Sequence, residues 1–69
     1  MAALEKVKIS NKVRVTASLL NVRSGPGTKY KVTGLLRKNT ICEILETNNN
    51  WGRINSPEGW ISLEYTTKN

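Results

Sequence analysis

Leu20-Asn21-Val22-Arg23-Ser24-Gly25-Pro26-Gly27-Thr28-Lys29-Tyr30 is the stretch from which the fold can be read. It starts as a strand, with Leu20 and Val22 on one face and Asn21 and Arg23 on the other. Gly25-Pro26-Gly27 then breaks the strand into a loop, because proline fixes φ and the glycines admit φ > 0. Tyr30 stands on the far side of that loop.

Short strands continue on both sides. Upstream, Lys12–Ala17 alternates polar and apolar residues, and Val7 and Ile9 alternate weakly before it. Downstream, Tyr30–Leu36 reads as an extended segment interrupted at Gly34, a bulge or tight bend. Arg37–Thr40 is a turn in which Asn39 takes the left-handed conformation. Thr40–Glu46 is the strongest strand signal, with Cys42 and Ile44 on one face and Glu43 on the other. Asn48-Asn49-Asn50 makes a hairpin turn, since asparagine tolerates left-handed backbone, and Trp51–Asn55 returns as its partner. Ser56-Pro57-Glu58 turns again, Gly59–Ser62 is the last strand, and Leu63-Glu64-Tyr65 forms one short helical turn. No helix-length periodicity occurs. The pattern predicts an all-β fold: a small barrel of about five to seven short antiparallel strands with a short 3-10 turn near the C-terminus.

Sixty-nine residues allow one domain with a small core. Histidine is absent and Cys42 is alone, so no intramolecular disulfide can form, and Ile41 and Ile44 around it suggest an inert core thiol. Lys and Arg number 11 against 5 acidic residues, a net charge of +6 that favours anionic partners. The cations are dispersed, which also suits a plain solvated surface. No apolar stretch approaches the roughly 20 residues of a membrane span. Met1–Lys6 is too short and polar for a signal peptide, so the reading favours a domain taken from a larger exported parent.

The Leu20–Tyr30 run, followed by the basic turn at Arg37–Thr40, the Trp51 hairpin and the closing Gly59-Trp60-Ile61, resembles bacterial Src homology 3 domains over residues ~12–66. The first and last of these elements are the specific ones. The resemblance implies an SH3-like barrel over residues 12–66, with 1–11 as a lead-in or extra strand and 67–69 as a C-terminal tail. It also implies a non-catalytic module that targets secreted or surface proteins to the cell wall, in which a parent hydrolase or peptidase carries the chemistry. Its partners would be peptidoglycan, as stem peptide or glycan, an anionic wall polymer, or a catalytic domain of the same parent, in an extracellular, cell-wall or surface location. Asn39 departs from the glycine common before the strand, at small cost. Gly52 stands where a bulkier residue is common, which is expected to leave a small groove beside Trp51. Gly59–Tyr65 also looks like the closing segment of eukaryotic SH3 domains. There Ile61 would be core, Tyr65 a groove residue, and Trp51 the tryptophan that receives proline-rich peptides.

Catalysis is disfavoured on the residues themselves. Triads and metal sets lose their commonest member without histidine. Paired carboxylates would need to stand about 5–9.5 Å apart across a sugar-sized cleft. Glu43 and Glu46 face opposite sides of a regular strand. No cofactor, metal or catalytic residue is expected. Binding is the better reading, with a shallow groove expected between the Ser24–Lys31 loop and the Asn48–Trp51 turn, lined by Asn21, Arg23, Tyr30, Trp51 and Tyr65. Arg23 or Lys29 is available to pair with a stem-peptide carboxylate. Trp60, beside Ile61, suits core and surface equally. Three alternatives are weaker, the first an intramolecular regulatory role in which the domain packs against the parent's catalytic domain. Proline-rich peptide recognition usually needs an acidic loop, and Arg23–Lys31 has no acid. Nucleic-acid binding wants aromatics interleaved with cations, and only Tyr30 between Lys29 and Lys31 fits.

Overall fold

The computed structural model describes residues 11–69. The weak alternation at Val7 and Ile9, and all of the expected lead-in but Asn11, lie outside the described residues. Eight short strands follow in order: β1 Lys12–Val15, β2 Leu19–Arg23, β3 Val32–Arg37, β4 Ile41–Glu43, β5 Glu46–Asn48, β6 Trp51–Asn55, β7 Glu58–Ser62 and β8 Thr66–Lys68. A 3-10 turn, Leu63–Tyr65, links β7 to β8. The strands form two antiparallel sheets. One has three strands in the order β4-β1-β8, and the other has five in the order β3-β2-β7-β6-β5. The described strands exceed the expected range, because Thr67 and Lys68, read from sequence as tail, pair with Arg14 and Val13, and because the Thr40–Glu46 run divides in two.

The alternation in each strand sets what faces inward. Leu20 and Val22 of β2, Gly52 and Ile54 of β6, and Gly59 and Ile61 of β7 are buried, while the residues between them face outward. With Val15, Leu36, Cys42 and Ile44 the buried hydrophobic side chains form one core cluster, against which Val13 and Leu63 pack. Burying each of these aliphatic side chains contributes about 1.5–3 kcal/mol against the entropy of ordering the chain.

The expected single strand over Thr40–Glu46 is instead two. The amide of Ile44 donates to the carbonyl of Asn11, whereas the next amide, of Leu45, donates to Arg53 on the other sheet. The chain therefore changes sheets between these two residues, closing a corner of the barrel. Turn chemistry follows the sequence closely. Asn39, Asn49 and Asn50 have φ of 74°, 50° and 68°. The last two make the two-residue connection between β5 and β6, where Asn48 pairs with Trp51, the positive φ pair matching the twist of the strands. The irregularity near Gly34 is a bulge: Val22 pairs with Gly34 but Arg23 pairs with Val32, leaving Thr33 as the extra residue. Its hydroxyl donates to the Val22 carbonyl at 3.3 Å.

The expected groove beside Trp51 at Gly52 is absent. Gly52 is buried on the opposite face from the indole, and a side chain there would meet Ile44 Cδ1 and Leu63 Cδ2 at 2.9 Å. Those two aliphatic groups fill the space that the missing side chain leaves.

Candidate functional site

Strands β2 and β7 are joined at one register pair, Arg23 with Trp60. Beyond it the two strands part, and the gap opens into a cleft of about 410 Å³. One wall carries Leu19, Asn21 and Arg23 from β2 with Thr28 from the loop; the other carries Trp51, Ser62 and Tyr65. Outward-facing positions on β2, β6 and β7 supply Asn21, Trp51 and Ser62, and the 3-10 turn delivers Tyr65 across from them. Trp51 is half-buried, which fixes its ring in the wall, and Tyr65 is 50% exposed.

Four of the five side chains nominated from sequence thus line one concavity: Asn21, Arg23, Trp51 and Tyr65. Tyr30 does not line it. Its ring packs against Gly25 and Gly27 at the base of the loop, and the Lys29 ammonium sits 5.8 Å from the ring centroid, within cation–π range. Sequence reasoning missed the contribution of Thr28, Ser62 and Glu64. For Ser62 the signal was present, because it alternates with Ile61 and shares the outward face with Trp60.

Arg23 has a structural duty inside the cleft. Its Nη1 donates to the carbonyls of Thr28 and Tyr30, each at 3.0 Å, and so ties the loop to β2. Lys29 is exposed on the same loop. Trp60 is half-buried on the outward face of β7, between the extremes that its sequence context allowed.

Among the described residues no group of three or more His, Cys, Asp or Glu could hold a metal ion, and no helix is long and apolar enough to cross a membrane. Glu58 and Glu64 open onto different concavities. Cys42 is buried in the core, and desolvation raises its thiol pKa above the ordinary 9.0, the opposite of what an activated nucleophile needs.

A barrel of two small antiparallel sheets, closed by a 3-10 turn and with a cleft beside a Gly-Pro-Gly loop, is the architecture of an SH3-like module. Residues 18–67 match the family model of the bacterial SH3 domain, and the chain belongs to that family. Over 60 residues, 84% of this chain, it is 37% identical to a Bacillus subtilis (strain 168) protein named "Putative N-acetylmuramoyl-L-alanine amidase YrvJ". The match spans 12% of that relative's length. No solved structure matches the chain significantly. The bacterial SH3 domain is a non-catalytic module.

Proposed function

We propose that this domain is a cell-wall targeting module that binds peptidoglycan in the cleft between β2 and β7, outside the cell, on behalf of a larger parent protein. The observation that carries this reading is the convergence of Trp51, Tyr65, Asn21 and Arg23 on one concavity. Wall polymers combine amide-rich stem peptides with amphipathic sugar faces. Indole and phenol rings offer apolar surface to such faces, while Asn21 and the spare donors of Arg23 hydrogen-bond amides and carboxylates. The family assignment and the amidase relative support a wall ligand. A shallow, partly open cleft implies an affinity between about 1 μM and 1 mM, or roughly 4–8 kcal/mol. Retention at the wall then depends on tethering or repeated modules.

The test is sedimentation of the purified domain with intact Gram-positive sacculi across a salt series, before and after removal of anionic wall polymers. Binding is expected to survive both treatments and to be lost in the Trp51→Ala/Tyr65→Ala double variant, with the fold checked by circular dichroism. Binding that disappears with the anionic polymer or with moderate salt would assign the interaction to the cationic surface instead. Undiminished pull-down by a folded double variant would remove the cleft from consideration.

A further inference from the structure

Outside the cleft, the outward face of the five-stranded sheet carries a second concavity. Trp60 is the register partner of Arg23 on one side and Arg53 on the other. Directly opposed residues in antiparallel strands have β-carbons about 4.5–5.5 Å apart, so Trp60 stands between two arginine positions whose head groups bond elsewhere, Arg23 to the Thr28 and Tyr30 carbonyls and Arg53 to Glu46. Next to it lies a hollow of about 260 Å³ lined by Ser24, Thr33, Arg53, Glu58, Gly59 and Trp60. It shares no lining residue with the cleft. The two are nevertheless adjacent. Trp51 pairs with Ser62 and Trp60 with Arg53, which puts the two tryptophans at diagonal positions on one face, about 7–8 Å apart.

The hollow's charge decides what it can hold. Arg53 donates from Nε to Glu46 Oε1 at 2.9 Å, and Glu58 brings a further carboxylate. In a chain of net charge +6, this is a place where positive charge is matched, so it does not select a polyanion. What remains is an aromatic face ringed by two hydroxyls, a guanidinium and a carboxylate. That set suits a neutral ligand with one apolar face and a rim of hydroxyls. The size, below the roughly 300–1,000 Å³ of drug-sized ligand sites, suits a single ring. The geometry points to a saccharide subsite at Trp60, where one pyranose of a glycan strand stacks on the indole. Glu58, Arg53, Thr33 and Ser24 bond its hydroxyls, and the neighbouring cleft takes the peptide-bearing part of the polymer. This inference rests on the wall-binding reading and adds the glycan strand as a ligand in its own right.

Titration of the ¹⁵N-labelled domain with a β-1,4-linked N-acetylglucosamine hexasaccharide, and separately with a free stem peptide, tests it. The hexasaccharide is expected to shift the Thr33 and Arg53 amides and the Trp60 indole N–H. Trp60→Ala should weaken hexasaccharide binding tenfold or more and Glu58→Gln about threefold, while both leave stem-peptide binding unchanged. Glu58 is exposed, so its variant decides alone if Trp60→Ala does not fold. Hexasaccharide shifts confined to Trp51 and Tyr65, no shifts at all, or a wild-type response of folded variants would overturn the subsite. Retained sacculus binding in that case leaves the cleft reading standing. Loss of sacculus binding by the unmodified domain would sink the cleft reading itself.

Discussion

The ring of Tyr30 occupies the space that a side chain at Gly25 would fill: a β-carbon there would overlap three carbons of the ring. A β-carbon at Gly27 would stand 3.5 Å from the same ring, an ordinary contact. The two glycines of the loop are therefore not equivalent. Gly25→Ala is expected to displace Tyr30 and destabilise the domain by about 1–3 kcal/mol, whereas Gly27→Ala should fall within about 0.5 kcal/mol of wild type. Urea denaturation of the pair checks this, and equal midpoints for the two variants would contradict it.

Arg23 ties the loop through two bonds from one nitrogen. Its replacement by methionine keeps the stem and removes both. The expected result is faster amide exchange over residues 24–31, a stability loss of about 1 kcal/mol for these exposed bonds, and a several-fold weaker wall interaction. Hydrogen exchange that stays at wild-type rates in this loop would show that other contacts hold it.

Gly59 has φ of +153°, and a β-carbon there would meet Val22 Cγ1 at 2.5 Å and the Arg23 carbonyl at 2.8 Å. Backbone conformation and neighbours both exclude a side chain, so Gly59→Ala should cost about 3 kcal/mol or more. Gly34, whose nearest neighbours would stand at 3.6–3.8 Å, makes the control: Gly34→Ala should be far milder. Thermal unfolding of both separates them.

Burial raises the Cys42 pKa above 9.0. The folded state therefore holds the thiol proton more tightly than the unfolded chain. The resulting stability is complete below the unfolded-state pKa and is lost as pH rises through it towards the folded-state value. Stability should decline above about pH 9 in the wild type, and less so in Cys42→Ala measured against its own value at neutral pH. Parallel alkaline profiles for the two proteins would count against this account.

Much of this is legible in the sequence. The alternation in Leu20–Arg23 and Gly59–Ser62 and the asparagines at 39, 49 and 50 specify strands and turns locally, by side-chain period and left-handed tolerance. The break at Ile44–Leu45 was not legible, because residues 41–45 alternate exposed and buried without interruption while the backbone partners change. Alternation reports the face, not the sheet. For the cleft, strand parity placed Asn21 and Arg23 on the outward face, and the family resemblance brought Trp51 and Tyr65 to them. Tyr30 stands outside the cleft because its direction depends on Gly25, a close approach within the loop that carries no period. Glu64 and Thr28 join the cleft through a turn and a loop, where spacing has no fixed face.

The β1–β8 ladder has a mechanical side. Val13 pairs with Lys68, and the Asn69 amide donates to the Lys12 carbonyl at 3.1 Å, so the chain enters and leaves the barrel at the same point. Tension applied through Lys12 and Asn69 would pull across this ladder rather than along it, and its hydrogen bonds, which run perpendicular to the strands, would part singly instead of together. Drawn in opposite directions by these two adjacent residues, the domain should open at low force, peeling β8 from β1 first. Under such a load the domain would give way as a zip rather than resist as a clamp.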